Sequence, residues 1–292
     1  MDDPGYIAVT SCKNEEKTIG NCVRSVLHQT IPPLVYLVID DGSTDETSRI
    51  LDTFKPRIDS IYLEGGRARK RGDHLRNLFL IAVKLASGRF SNWRYLLSVD
   101  ADEILPQDYV ENLIKKMDEN PKLGMASGIP IYKTHDGYEK IHRASDRVWN
   151  GARLYRRDCW DSIGFIPSIQ GWDMWIRLEA NRLGWKTKSF DEINFIEERR
   201  WGDTTLKFWV NRGFTRKILG YSWIAHLITC ITRINQKPYL VGSLAFFLSF
   251  VLYRSRQQTH FNPEYYKFAH GYTSNIMREW LKTSKIKTKF KR

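Results

Sequence analysis

Cysteine is scarce in this chain and is never paired at metal-binding spacing. The 292 residues include 4 Cys, with no Cys-x-x-Cys pair and no His at ligand spacing beside them. This scarcity excludes a disulfide framework and a cysteine-based zinc site, and it is typical of proteins in a reducing compartment. The first residues also lack the basic and apolar regions of a secretory signal peptide. We therefore expect a cytoplasmic protein.

Long apolar runs are absent as well. The stretch from Tyr239 to Tyr253 is apolar and uncharged, yet it falls short of the roughly 20 residues that a membrane-spanning helix needs. Its length predicts a segment that lies on a membrane or re-enters it. The composition, 42% hydrophobic and 27% charged, is that of a folded globular protein and excludes disordered and coiled-coil classes.

Acidic residues are nearly absent from the C-terminal part. The chain carries 46 Lys+Arg and 33 Asp+Glu, a net charge of +13, and residues 203–292 alone contain 16 basic and 3 acidic residues. The asymmetry predicts a neutral domain of residues 1–202 followed by a basic extension of residues 203–292. The charge of this extension indicates an anionic partner, either a membrane or a nucleic acid, with a purely solubilising tail as the alternative.

Strand and helix patterns alternate with short connections in the first domain. Tyr6–Thr10, Leu34–Ile39 and Tyr95–Val99 are apolar segments typical of strands covered on both faces. Ser43 and Glu46 have the spacing of a capping box for the helix after the second strand. This alternation predicts an open, doubly wound α/β sheet, which binds ligands outside the carboxyl ends of its strands.

Acidic residues follow two of these strands directly. Asp100 and Asp102 are separated by one residue, so their side chains point to the same side if the strand geometry continues. Asp40 and Asp41 end another strand, where capping of the next helix is the structural alternative. Carboxylates in this arrangement suit Mg²⁺ or Mn²⁺, whose other positions are filled by water and phosphate oxygens.

Four motifs together resemble a known family. Their sequences are VTSCKNEEKTI (9–19), SVLHQT (25–30), VIDDGSTD (38–45) and LSVDADE (97–103). In order and spacing they resemble the nucleotide-binding half of the family 2 glycosyltransferases, and the match extends over residues 6 to about 190. The resemblance implies a GT-A fold, a Rossmann-like, mostly parallel sheet with helices on both faces. It also implies a nucleotide-sugar half, about residues 1–105, and an acceptor half, about residues 106–202, before the helical extension.

The resemblance further implies a reaction and the residues that take part in it. The reaction is transfer of a sugar, with inversion, from a nucleoside diphosphate-sugar to an acceptor hydroxyl in the presence of Mn²⁺ or Mg²⁺. The residues carried over by position are Ser11, Glu15 and Asp41 for the nucleoside, Arg71 for the diphosphate region, Asp102 for the metal, and Asp100 for the ribose and the metal and its waters.

Inversion in one step requires a base on the face of the sugar opposite the leaving group. Family members usually carry Glu-Asp at the start of a helix in this region, and this chain has Trp172-Asp173 there. The resemblance therefore implies Asp173 as the catalytic base. The structural alternative for Asp173 is an N-cap of that helix.

Two segments lie beyond the matched residues: the first departs from the family pattern, and the second resembles an extension of some members. Phe195 to Gly202 contains no His, although relatives often have a metal-ligating His there, and it resembles a Gln-x-x-Arg-Trp element with Glu197 in place of Gln. Without several spanning helices, addition of a single sugar is favoured over polymerisation. Lys237 to Leu244 resembles the extension of bacterial and archaeal members that act at membranes.

These observations predict a peripheral enzyme on the cytosolic face of a membrane. Residues 203–292 would contact the anionic leaflet, and the acceptor would be lipid-linked or a surface-glycan precursor. Two alternatives remain open. A sugar nucleotidyltransferase is disfavoured because Ser11 to Glu16 contains no Gly for a phosphate loop. A nucleic-acid-binding protein is disfavoured because Tyr239 to Tyr253 is too apolar for a nucleic-acid-binding arm, so no nucleic acid is expected as a partner.

Overall fold

The chain folds as two compact units, Met1–Arg200 and Trp201–Arg292. Their geometry comes from a computed structural model. The structure describes residues 5–63, 71–134, 137–140, 148–199, 205–253 and 261–289. The division of the first unit into a nucleotide-sugar half and an acceptor half stays a prediction.

The first unit alternates strands with helices. Its strands are β1 (Tyr6–Cys12), β2 (Val35–Asp40), β3 (Asp59–Tyr62), β4 (Tyr95–Val99), β5 (Glu103–Ile104), β6 (Leu123–Thr134), β7 (Gly137–Lys140), β8 (Ala152–Arg156) and β9 (Lys186–Glu197). Its helices are α1 (Ile19–Leu27), α2 (Thr47–Asp52), α3 (Arg71–Arg89), α4 (Tyr109–Asp118), α5 (Arg157–Ile163) and α6 (Trp172–Arg182).

These strands form one sheet in the order β3-β2-β1-β4-β8-β6-β9-β5, with β7 on β6. The first four strands are parallel to one another, whereas β8 is antiparallel to both β4 and β6, and β5 is antiparallel to β9. The chain order reverses between β1 and β4, so the carboxyl ends of β1, β2 and β4 meet at one edge, where such sheets bind ligands. The predicted doubly wound α/β sheet is confirmed, with antiparallel strands added beyond β4.

The pattern of apolar residues explains the core. Every residue of β2 is buried, as expected for a central parallel strand that has helices on both faces. On α4 the apolar residues at helical spacing are buried in the main hydrophobic cluster: Val110, Leu113, Ile114 and Met117. Burial of one such side chain contributes about 1.5–3 kcal/mol, so these positions fix the register of the helices on the sheet.

The predicted capping box after β2 is wrong. Helix α2 begins at Thr47 with Glu46 as its N-cap residue, and no side chain caps it. Ser43 instead donates from its hydroxyl to Asp40 Oδ1 at 2.6 Å, and its backbone N–H donates to the same oxygen at 2.9 Å. Ser48 donates to the other oxygen of Asp40 at 2.5 Å. Asp40 therefore closes the turn between strand and helix, which is a structural role.

The second unit is helical in its described residues. Its helices are α7 (Leu206–Ile218), α8 (Trp223–Thr232), α9 (Leu240–Leu252) and α10 (Pro263–Lys289). Small residues bring α7 and α9 close together, because a Cβ on Gly213 would stand 1.9 Å from Ser249 Oγ. Within the described part of the chain, no helix combines the length and the apolar character needed to cross a membrane.

Candidate active site

The edge formed by β1 and β4 opens into a cavity of about 280 Å³. Three of the predicted site residues line it: Ser11 from β1, Asp100 after β4, and Asp173 from the first turn of α6. The opposite wall is apolar and aromatic, with Phe79 of α3 and Trp172 of α6 at a ring-centroid distance of 5.3 Å. The cavity therefore combines two carboxylates with a flat aromatic wall, a combination that suits a polar ring such as a sugar.

Asp41 is buried at the end of β2 and has two cationic or polar neighbours. Its Oδ1 lies 2.7 Å from His74 Nε2, and its Oδ2 lies 3.5 Å from Lys13 Nζ. Lys13 also donates to the Asp41 carbonyl oxygen at 2.8 Å. The carboxylate predicted to meet the nucleoside is thus held in a fixed orientation.

The side chain of Arg71, at the start of α3, lies outside the described residues. His74, three residues later, contacts Asp41, and this contact was not predicted from the sequence.

Asp100 lies in an unusually negative environment. Its side chain opens into the cavity, but desolvation by the protein around it, together with Asp102, Glu197 and Asp173, raises the pKa of Asp100 to about 7. Desolvation also raises the pKa of Asp102, although Arg199 opposes that rise. Several carboxylates thus share a space in which their negative charge is only partly compensated.

Arg199 connects two of the predicted site residues. Its Nη2 lies 2.5 Å from Glu15 Oε2 and its Nε lies 3.1 Å from Asp102 Oδ2. The backbone holds it there, because Glu103 of β5 pairs with Glu197 of β9 and Glu198 N–H donates to the Asp102 carbonyl at 2.8 Å. The contact between Arg199 and Glu15 joins residues 184 positions apart in the chain, so no local sequence pattern could predict it.

Asp173 lies in the first turn of α6, and the alternative that it caps this helix is wrong. The N-cap residue is Gly171, in the left-handed region at φ 83°, and no side chain caps the helix. The Asp173 carboxylate instead accepts from the Asn150 side-chain amide, and Arg153 donates to the Asn150 carbonyl oxygen. Arg153 is itself buried. Asn150 and Arg153 therefore orient the carboxylate toward the cavity, and both were missed by sequence reasoning.

The donor set fits a hard divalent cation. Asp100 and Asp102 offer carboxylate oxygens, and besides desolvation the neighbouring carboxylates Asp102, Glu197 and Asp173 raise the pKa of Asp100, a negative charge that a cation would relieve. Within the part of the chain that the structure describes, no three His, Cys, Asp or Glu side chains are grouped to hold a metal ion. Two protein carboxylates, with water and phosphate oxygens completing the shell, are the usual arrangement for Mg²⁺.

Glu197, at the end of β9, and Glu198, in the turn after it, each accept a hydrogen bond from a side chain. Tyr132 donates to Glu197 Oε2 at 2.6 Å inside the protein, and Asn21 donates to Glu198 Oε1 at 3.0 Å. Arg200 and Trp201, which complete the Gln-x-x-Arg-Trp resemblance, lie outside the described residues.

A parallel sheet with Asp100 at the end of β4 facing the cavity, continued by antiparallel strands, has the GT-A architecture. Solved structures share this architecture. A mannosyltransferase from Pyrobaculum calidifontis, in complex with GDP-Man and Mn²⁺, superposes with a TM-score of 0.55 at 15% identity over 91% of this chain and 73% of that one. Residues 1–349 of TarS from Staphylococcus aureus, in complex with UDP-GlcNAc, give 0.52 at 14% identity over 85% and 71%.

The chain belongs to glycosyl transferase family 2, which it matches over residues 7–181. Among curated proteins, the poly-beta-1,6-N-acetyl-D-glucosamine synthase of Staphylococcus epidermidis is 29% identical over 211 residues, 65% of this chain and 48% of that protein. The same synthase from Staphylococcus aureus strain COL is 29% identical over 126 residues, 43% and 28% of the two chains. The chain thus spans about half the length, or less, of these relatives. The predicted family, GT-A fold and glycosyltransferase class are confirmed.

Proposed function

We propose that this glycosyltransferase moves one sugar, with inversion, from a nucleoside diphosphate-sugar to a hydroxyl of a surface-glycan or lipid-linked precursor, with the help of Mn²⁺ or Mg²⁺. The observation that carries the proposal is the shared cavity of Asp100 and Asp173, one carboxylate at the strand edge and the other on the first turn of α6. The relatives named as polysaccharide synthases and the neighbours solved with GDP-Man or UDP-GlcNAc support the donor and acceptor classes.

In the proposed reaction Asp173 accepts the proton of the acceptor hydroxyl. The acceptor oxygen then bonds to the anomeric carbon while the bond from that carbon to the diphosphate oxygen breaks, so the configuration inverts. Asn150 keeps the Asp173 carboxylate aimed at the cavity. Asp102 and Asp100 would hold the divalent cation, which supplies positive charge for the departing diphosphate.

The experiment that tests the donor side is thermal unfolding with Mn²⁺ and a panel of nucleoside diphosphates. A nucleotide that binds only the folded protein at a hundred times its Kd adds about 2.7 kcal/mol of stability. For a protein of this size we expect the matching nucleotide to raise the Tm by roughly 4–6 °C in the presence of Mn²⁺. Mn²⁺ with orthophosphate is the control. A panel in which no nucleotide shifts the Tm, with or without metal, would contradict the proposal.

We further propose that the second unit lies on an anionic membrane surface from the cytosolic side. Its charge supports this, because residues 205–253 contain Lys and Arg but no Asp or Glu. The exposed faces of α8 and α9 support it more strongly, because they are apolar where a water-exposed face is normally polar. Their exposed large side chains are Trp223, Ile224, Ile231, Leu240, Val241, Leu244, Leu248, Val251 and Leu252.

The buried face of α9 has the opposite character. It consists of Gly242, Ser243, Phe246, Ser249 and Phe250, so two hydroxyls point inward while the leucines and valines point outward. An apolar patch of this kind marks an interaction surface. With basic residues on the same unit, a phospholipid bilayer with anionic headgroups is the partner whose chemistry matches both features. Such a location would bring a lipid-linked acceptor to the enzyme.

Substitution of Leu240 and Leu244 by Ser tests the membrane surface. Both side chains are more than half exposed, at 63% and 53%, so the fold should tolerate the change. Each leucine that enters the bilayer contributes of the order of 1 kcal/mol, so we expect the double variant to bind anionic liposomes about thirtyfold more weakly in a sedimentation assay. Leu183→Ser, on the first unit, is the matched control. Equal binding of the double variant, or binding to nucleic acid in place of liposomes, would argue against a membrane surface.

A further inference from the structure

Arg199 belongs to the candidate site but has no role in the proposed reaction. Its guanidinium bridges Glu15 and Asp102, one predicted to contact the nucleoside and the other the metal. The two carboxylates come from different segments, the turn before α1 and the turn after β4. A cation that joins them therefore links the nucleotide side of the site to the metal side.

The position of Arg199 conflicts with that of a metal ion. Its Nε lies 3.1 Å from Oδ2 of Asp102, the carboxylate that would hold the divalent cation. A guanidinium and a divalent cation repel each other at short distance, so a cation held by Asp102 would weaken the contact of Arg199 with this carboxylate. The Arg199 side chain is 58% exposed, which leaves room for another rotamer. The backbone of the preceding residue is held in place, because Glu198 N–H donates to the Asp102 carbonyl oxygen.

We propose that Arg199 neutralises the acidic site in the metal-free enzyme and moves from Asp102 to the diphosphate of the donor when the divalent cation binds. The inference rests on the proposed function, since it takes Asp102 as the metal ligand. A divalent cation that binds alone would displace Arg199 from Asp102 and leave the guanidinium without a new anionic partner. When the nucleoside diphosphate binds as well, its phosphate oxygens would take the place of Asp102 as the partner of Arg199. The enzyme therefore binds metal weakly alone and strongly with the nucleotide.

The test measures Mn²⁺ binding with and without nucleotide, using the electron paramagnetic resonance signal of free Mn²⁺. UDP and GDP are the nucleotide probes. For Arg199→Ala we expect Mn²⁺ alone to bind about two- to fivefold more tightly, because one exposed ion pair no longer competes. In the same variant, binding of the nucleoside diphosphate at saturating Mn²⁺ should weaken by a similar factor. The two changes have opposite signs, and a merely structural role of Arg199 would weaken both.

Two further variants act as controls for charge and geometry. Arg49→Ala removes an exposed arginine of α2 that pairs with Glu46. It should change neither the affinity for Mn²⁺ nor the affinity for the nucleotide. Arg199→Lys keeps the charge but loses the planar fork that reaches two carboxylates, so it should fall between the wild type and Arg199→Ala. The nucleotide strengthens Mn²⁺ binding by the same factor by which Mn²⁺ strengthens nucleotide binding. In Arg199→Ala this factor must be smaller whether Mn²⁺ or the nucleotide is titrated.

The outcomes separate this inference from the proposed function. If Asp102→Ala loses Mn²⁺ binding but Arg199→Ala binds Mn²⁺ as the wild type does, the role of Arg199 is overturned and the metal site stands. Weaker binding of both Mn²⁺ and nucleotide in Arg199→Ala also overturns it. If Asp102→Ala binds Mn²⁺ normally, the metal site itself is wrongly assigned, and the role of Arg199 is rejected with it.

Discussion

Asp173→Asn is expected to lower kcat by about 10² to 10⁴, the usual contribution of a positioned general base. The substitution keeps the size of the side chain and removes its ability to accept a proton. An Asn at this position can still accept the Asn150 amide hydrogen bond through its own carbonyl oxygen. The geometry of the first turn of α6 should therefore survive. The measurement is turnover with the donor that the thermal panel identifies, at saturating Mn²⁺.

Nucleotide binding separates this role from a purely structural one. The Asp173→Asn variant should keep the Mn²⁺-dependent rise in Tm, because the proposed function assigns Asp173 to the acceptor and not to the nucleotide. Asp161→Asn on α5, an exposed carboxylate paired with Arg157, is the matched control and should keep full activity. Normal turnover of Asp173→Asn would remove the base assignment. Loss of nucleotide binding together with turnover would instead give Asp173 a role in donor binding.

The parts of the fold that follow from local chemistry could be predicted from sequence. Continuous apolar segments indicated the buried parallel strands, and the acidic residues after them marked the sheet edge. The sheet brings Ser11 and Asp100 to one cavity because their strands are neighbours, β1 beside β4. The carboxyl ends of neighbouring parallel strands lie at the same edge of a sheet. A correct strand order therefore predicts that such residues are close together, without knowledge of any side-chain conformation.

The partners of the site residues could not be predicted in the same way. His74 reaches Asp41 across 33 positions and Arg199 reaches Glu15 across 184. Which of several basic residues meets a carboxylate depends on where a helix begins and how a long side chain turns, and neither leaves a pattern in the sequence. Asp40 shows that a contact between near neighbours can also be missed. Ser43 and Ser48 make three hydrogen bonds to the Asp40 carboxylate, and Ser43 therefore does not cap α2 as predicted.

Asp102→Ala should abolish the Mn²⁺-dependent rise in Tm with nucleotide and reduce turnover by about 10³-fold or more. Metal stabilisation of transition-state charge contributes several kcal/mol, and about 1.4 kcal/mol corresponds to a factor of ten in rate. Misfolding should not explain the loss. The folded-state pKa of Asp102 is raised, so its ionised form costs stability above that pKa, and its removal relieves repulsion with Asp100. The metal-free variant should therefore melt no lower than the wild type.

A matched variant and a second metal-site variant make the result specific. Asp191→Ala removes an exposed carboxylate from β9 and should leave metal response and turnover unchanged. Asp100→Asn should weaken the metal response less than Asp102→Ala does, because its carboxamide keeps one oxygen toward the ribose and the metal's waters. An Asp102→Ala enzyme that still requires Mn²⁺ and turns over normally would show that the cation is held elsewhere. In that case the raised pKa of Asp100 would reflect only its desolvation and the carboxylates of Asp102, Glu197 and Asp173 near it.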